Sequence, residues 1–133
     1  MECNWNEWER CILLNGIHID RPKGCCHPRY PNMIYPLDYG YVLGTLGGDG
    51  QEVDIFVGTE GKGLSAILLT HDKLKGEDEI KLLWNLSTQE IAIANQFLNG
   101  GSMTSRIVWR PQSAPDRPES MDPTGANEPA PRV

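Results

Sequence analysis

No apolar run in this 133-residue chain approaches the roughly 20 residues that a membrane-crossing helix needs. The opening MECNWNEWER is polar and acidic and lacks the apolar stretch of a signal peptide. Both absences argue against a membrane partner and make a cytoplasmic location the expectation. A basic surplus is missing too: 18 acids face 12 lysines and arginines, for a formal net charge of −6. Nucleic-acid binders rest on cationic surface, so that class is disfavoured. An anionic substrate would need something cationic between it and the chain, with bound metal the first candidate. Cysteine is limited to positions 3, 11, 25 and 26. In a reducing compartment these are thiols. Cys25, Cys26 and His27 adjoin one another, but no second Cys-x-x-Cys or His cluster completes a zinc site. Reduced thiols filling space are the preferred reading.

Large apolar side chains nearly vanish after residue 110. The segment 111–133, PQSAPDRPESMDPTGANEPAPRV, holds six of the ten prolines and cannot bury enough surface to offset its ordering entropy. It reads as a disordered Pro-rich tail behind one folded domain, 1–110. Four acids (Asp116, Glu119, Asp122, Glu128) and two arginines (Arg117, Arg132) give the tail a net −2 and leave −4 to the body.

Within the body, short apolar and β-branched stretches between Gly and Pro turns predict strands over 17–20, 41–46, 53–57, 64–70, 80–84 and 105–109. Trp5, Trp8 and Ile12 at helical spacing suggest a short N-terminal helix. The firm helix signal is STQEIAIANQFLN, where Ser87 and Glu90 form a capping-box pattern and Ile91, Ala94, Phe97 and Leu98 mark one face. Five or six short strands with one packed α-helix predict a mainly β, small barrel of the α+β class.

Chemistry concentrates in YPLDYGYVLGTLGGDGQEVDIFVG, residues 35–58, which gathers Asp38, Asp49, Glu52 and Asp54 with Tyr35, Tyr39 and Tyr41 around glycine turns. Hard Mg²⁺ takes oxygen ligands and needs few protein carboxylates when waters and a phosphate complete its shell. Asp49 and Asp54 lie five residues apart, too far to share one straight strand face, but Gly47, Gly48 and Gly50 can fold the connection so that they converge. By composition alone, a hairpin turn with solvated acids is the preferred reading.

The order of these residues resembles the soluble inorganic pyrophosphatases, in which a Tyr-Pro-x-x-Tyr-Gly-Tyr segment precedes a run of three spaced aspartates. Tyr35-Pro36-Leu37-Asp38-Tyr39-Gly40-Tyr41 is similar to the first part, and Asp49-Gly50-Gln51-Glu52-Val53-Asp54 to the second except at its middle acid. Ile19-Asp20-Arg21-Pro22, Arg29-Tyr30 and Glu79-Ile80-Lys81 resemble flanking motifs, with Asp72 a loose counterpart of a further acid. A compact branch with an IDRPKG-like opening, HP-x-YP and GDGQE-V-D looks closer still. The resemblance implies a five-stranded OB-like barrel with one helix against it. It also implies Mg²⁺-dependent hydrolysis of pyrophosphate to two phosphates, with a metal-activated water as nucleophile. Carried over residue by residue, Asp49, Asp54, Glu79 and Asp72 would hold metal. Arg29 and Lys81 would neutralise phosphate charge, Tyr39 would donate to a phosphate oxygen, and Gln51 would stand at the water-activating position. Family members often form homo-oligomers, and nothing in this sequence locates an interface.

Three departures matter. Gln51 replaces the middle aspartate, and an amide accepts no proton at neutral pH. Pro31 stands where a glutamate would follow the basic-Tyr pair, and the hairpin that brings a phosphate-binding arginine is missing. The C-terminal Tyr-Lys pair has no counterpart. These losses keep open a pyrophosphatase-like module that binds Mg²⁺ and a phosphorylated ligand with little turnover. If the acids mainly repel one another, Asp49→Asn and Asp54→Asn leave the fold intact or stabilise it.

Deleting 111–133 is expected to move the thermal midpoint by no more than about a degree, because a segment without buried contacts removes no stabilising interaction. Scanning calorimetry of the two chains checks this, and a drop of several degrees would mean that the tail docks.

Overall fold

Helix α1 (Trp5–Asn15) starts where the Asn4 side chain accepts the N–H of Glu7, and it turns Trp5, Trp8 and Ile12 towards a sheet. The structure is a computed structural model that describes residues 4–45 and 51–111. Asp49, Cys3 and the segment 112–133 lie outside the described residues. The remaining elements are β1 (Ile17–Arg21), β2 (Asp38–Val42), β3 (Asp54–Val57), β4 (Leu64–Asp72), β5 (Glu77–Trp84), α2 (Thr88–Leu98) and β6 (Met103–Trp109). No helix among the described residues is long and apolar enough to cross a membrane.

The strands form one mixed sheet in the order β1-β2-β3-β5-β4-β6, with β3 and β5 parallel and the other neighbours antiparallel. The architecture is a small α+β, barrel-like fold, with six strands where the resemblance implies five and a second helix in α1. Strand alternation divides the core in two. Val42, Ile55, Ile67 and Leu82 face the side that packs with Ile12 of α1. Tyr39, Phe56, Leu68 and Leu83 face the side covered by Ile91, Ala94 and Leu98 of α2. The Ser87–Glu90 capping box forms as the sequence predicts, with Ser87 Oγ accepting the Glu90 N–H at 3.1 Å and Glu90 Oε1 accepting the Ser87 N–H at 2.9 Å. Arg110 closes the body: its guanidinium pairs with Glu9 and donates to Asn6 Oδ1 at 2.7 Å, tying the end of β6 to α1.

Several strand boundaries differ from the sequence expectation, those of β2, β4 and β5 the most. The strand predicted over 41–46 lies earlier and ends at Val42, because Leu43 and Gly44 turn, Gly44 at φ 74°. Thr45 clamps that turn, its hydroxyl donating to Val42 O at 2.7 Å and accepting the Val53 N–H at 3.0 Å. Strands β4 and β5 run on to Asp72 and Glu77, since Asp72 Oδ1 accepts the N–H groups of Leu74 and Lys75 and caps a tight connection.

One close approach shapes the edge of the sheet. The β1–β2 register shifts between Ile19, paired with Gly40, and Arg21, paired with Tyr39, which marks a β-bulge. A Cβ at position 40 would sit 1.8 Å from the His18 carbonyl oxygen and 2.8 Å from Ile19 Cα. Only glycine lets the two backbones meet there. Gly40→Ala is therefore expected to destabilise the fold by at least about 1–3 kcal/mol, the usual cost of overpacking. Urea unfolding checks it, and an unchanged midpoint would mean that β1 moves away freely.

Candidate active site

On the α2-covered face, three neighbouring strands bring four of the sequence-nominated groups together. Tyr41 pairs with Asp54 across β2 and β3, and Ile55 pairs with Leu82 across β3 and β5, so Tyr39, Asp54 and Lys81 share one side of the sheet. Glu79 lies two residues before Lys81 on β5 and joins them. Lys81 Nζ donates to Asp54 Oδ2 at 2.6 Å and to Glu79 Oε1 at 2.8 Å. The Tyr39 hydroxyl donates to the same Asp54 Oδ2 at 2.6 Å. Lys81 is only 6% exposed, so these partners are what make its charge tolerable inside the sheet. The Asp54 and Glu79 side chains are 32% and 30% exposed, placing the rim of the cluster at solvent.

Aromatic rings form its floor and wall. Tyr39 packs edge-on against Phe56 with centroids 4.8 Å apart, and Tyr35 lies 5.0 Å from Tyr39 and 4.9 Å from Phe97 of α2. Burial pushes the Tyr39 phenol well above its ordinary value, and the opposing field of Lys81 only partly offsets this. For Lys81, burial opposes the charge, but Tyr39, Asp54 and the hydrogen bonds to Asp54 and Glu79 outweigh it and raise the ammonium above its ordinary 10.5. At neutral pH the group is thus a phenol and an ammonium converging on one carboxylate oxygen.

The other nominated residues sit elsewhere. Arg29 is exposed on the 22–37 crossing, where its backbone N–H donates to His27 Nδ1 at 3.0 Å. Gln51 is exposed at the start of the segment leading into β3. Asp72 lies on the same face as Lys81 but is paired with Glu77, at the far end of the β4–β5 hairpin, with Oδ1 engaged in its turn. Asp38 accepts the Lys23 N–H at 2.8 Å and holds the crossing. Cys25 is half-buried beside the α2-side core, whereas Cys26 is exposed and Ile34 pairs with it.

Arg21 is the residue that sequence reasoning passed over as a site group. Its guanidinium donates to the Tyr35 hydroxyl and lies 5.5 Å and 5.9 Å from the Tyr35 and Tyr39 ring centroids. The signal was present in Ile19-Asp20-Arg21-Pro22, but strand alternation alone turns Arg21 to the wrong side; the bulge corrects it.

Among the described residues, no group of three or more His, Cys, Asp or Glu side chains is arranged to hold a metal ion. The donor set nevertheless suits Mg²⁺. Asp54 and Glu79 are hard oxygen donors on one face, and the hydrogen bonds from Tyr39 and Lys81 engage Oδ2 of the one and Oε1 of the other. A site of one or two carboxylates completed by water and phosphate is what Mg²⁺ usually takes.

The buried cluster has a pH signature. Folded-state values raised above the unfolded ones favour the protonated Tyr39 and Lys81, so their contribution is complete below about pH 10 and is lost as pH climbs through the folded values. Urea unfolding from pH 8 to 11 is expected to show stability falling above about pH 10, less steeply in Lys81→Met. The same pairing corrects the repulsion argument: Asp54→Asn removes a charge from a buried ammonium and should destabilise by about 1–3 kcal/mol rather than stabilise. Equal slopes in wild type and Lys81→Met would remove the ammonium from this account.

No protein-family model matches the chain, and no curated protein does. Structure comparison does find likeness. An inorganic pyrophosphatase from Neisseria gonorrhoeae superposes with a TM-score of 0.54 at 18% identity, over 66% of this chain and 77% of that one. An inorganic pyrophosphatase from Coxiella burnetii gives 0.50 at 15% identity, over 70% and 82%. At such identities the likeness is one of fold.

Proposed function

We propose that this chain, whose fold is that of the bacterial soluble inorganic pyrophosphatases, hydrolyses inorganic pyrophosphate in a Mg²⁺-dependent reaction. The observation that carries the reading is the Tyr39–Asp54–Lys81–Glu79 cluster, at the wet rim of the face that α2 covers. In the reaction a water oxygen bonds to one phosphorus, the bridging P–O bond breaks, and the leaving phosphate takes up a proton. Asp54 and Glu79, with Asp49, nominated by its place in the Asp49–Asp54 motif, are the residues that would hold the metal. When bound, the metal supplies charge neutralisation and acidifies a water.

The chain's own groups do the rest. The Tyr39 phenol stays protonated at neutral pH, so it is available as a donor to a phosphoryl oxygen when the anion competes for it. Lys81 contributes a fixed ammonium beside the carboxylates, where it limits their mutual repulsion and faces charge developing on the phosphate oxygens. Arg29, exposed on the crossing, adds a cation at the rim. Gln51 orients water through its amide and leaves proton removal to the metal-bearing carboxylates, which favours slow turnover. That same amide favours the second reading, a module that binds Mg²⁺ and a phosphorylated ligand without efficient hydrolysis.

Phosphate release from pyrophosphate, with Mg²⁺ and with chelator, separates the two. The enzyme reading expects chelator-sensitive release that Asp49→Asn and Asp54→Asn each reduce at least ~100-fold, the scale set by loss of a metal ligand or its support. Binding of pyrophosphate without release would favour the module. Release that survives chelator and both substitutions would remove the metal assignment.

A further inference from the structure

The carboxylate of Asp54 stands at the inner end of a row of rings that runs out to solvent along the 22–37 crossing. Tyr39, whose hydroxyl donates to Asp54 Oδ2, lies 5.0 Å from Tyr35 between ring centroids. The His27 imidazole follows at 6.4 Å from Tyr35, nearly parallel to it at 12°, and the Tyr30 ring lies 4.9 Å from His27. Exposure changes along the row. Tyr35 and Tyr39 are buried, at 3% and 8% exposed, whereas Tyr30 is 58% exposed. The row thus ends on an aromatic side chain with more than half of its surface in water.

The backbone holds that outer ring in place. The His27 N–H donates to Met33 O and the Met33 N–H to Tyr30 O, both at 2.9 Å, so the crossing doubles back between Cys26 and Ile34. Pro28 and Pro31 flank the Arg29-Tyr30 pair and fix φ on either side of it. With the expected hairpin missing, only residues 31–34 separate Tyr30 from Tyr35. Burial first, then the positive fields of Arg21 and Arg29, lower the His27 imidazole below its ordinary value. At neutral pH its ring is uncharged and suits stacking.

A preordered, exposed ring next to such a site offers nothing to an inorganic anion. Pyrophosphate has no apolar surface to bury, and the face of a ring carries no hydrogen-bond donor. A base uses that face: every nucleobase has a π surface, and stacking on Tyr or His is a recurrent source of affinity. We propose that the site takes nucleoside diphosphates or triphosphates in preference to the bare inorganic diphosphate, with the phosphates at the Asp54–Lys81–Glu79 cluster and the base stacked on Tyr30. This rests on the phosphoanhydride reading above and refines its substrate. A free nucleotide fits better than a polynucleotide, whose backbone a chain of net charge −6 repels. The competing account is that Tyr30 only covers His27 and that the ligand is pyrophosphate itself.

The test compares two non-hydrolysable probes by calorimetry on the full chain in Mg²⁺: α,β-methylene adenosine diphosphate, and methylenediphosphonate, which lacks base and ribose. Wild type is expected to bind the nucleotide roughly 5- to 100-fold more tightly, the range of one base–aromatic stack. Tyr30→Ala and Tyr30→Leu are expected to lose most of that preference, and Tyr30→Phe to keep it. Leu74→Ala, at an exposed position in the β4–β5 turn, is expected to bind both probes within about twofold of wild type. A preference that survives in Tyr30→Ala and Tyr30→Leu overturns the proposal. So does equal weakening of both probes in those variants, since the ring would then serve the anion or the fold rather than a base. Phosphate-release assays keep the two claims apart. Mg²⁺-dependent release from pyrophosphate by a wild type without nucleotide preference removes the base site alone. A wild type that binds neither probe and releases no phosphate removes the phosphoanhydride reading, and this proposal with it.

Discussion

An ammonium buried in the middle of a sheet is the constraint around which the site is organised. Lys81 sits on β5 between the apolar positions Ile80 and Leu82, with Leu68 opposite it on β4, and is 6% exposed. A charge in that position requires partners, and two carboxylates arrive from different directions: Glu79 from its own strand and Asp54 from the parallel neighbour β3. Because the partners lie on separate strands, the ion pairs also report the β3–β5 register. A slip of one residue would turn Asp54 to the other face and strand the ammonium. Tyr39 then completes the acceptor geometry of Asp54, so a third strand is tied to the same atom.

How much of this was legible in the sequence depended on the range of the interaction. The α2 boundaries were readable because a capping box is written in four consecutive residues, Ser87 to Glu90. Strand existence was readable from short β-branched runs. Strand ends were not, since Thr45 and Asp72 close their turns through side-chain hydrogen bonds whose geometry no propensity encodes. Among the candidate site residues, Tyr39, Asp54, Lys81 and Glu79 were nominated by motif order, but their mutual engagement was not foreseen. The acids were expected to repel one another, whereas Asp54 and Glu79 are bridged by Lys81, because register across β3 and β5 is a long-range property. Arg21 was missed for a related reason. A one-residue bulge inverts the facing of everything after it, and nothing in Ile-Asp-Arg-Pro announces a bulge without its partner strand.

Glycine at position 40 links these two lessons. It is conspicuous in the sequence as part of a Tyr-Gly-Tyr run, where flexibility is the obvious reading. Its structural role is the opposite: it permits a tight backbone contact, with the His18 carbonyl occupying the place of a side chain. That contact lets β1 lie against β2 through its irregular register, and the irregularity decides which side of the sheet receives a cation. A backbone requirement at one residue is thus converted into the electrostatics of the sheet face that also carries Asp54 and Lys81.

The electrostatics in turn explain why such a device is needed. Two carboxylates around one ammonium leave the Asp54–Lys81–Glu79 cluster with no positive charge to spare, on a chain already acidic overall. A group that suits a metal is therefore, by itself, repulsive to a phosphate anion. A bound divalent cation would reverse that locally, within the roughly 8–10 Å that solvent and salt leave unscreened. Arg21 at the end of β1 and Arg29 on the 22–37 crossing place positive charge outside the buried cluster. Tyr39 stands between the two kinds of charge, its hydroxyl on Asp54 and its ring against Arg21.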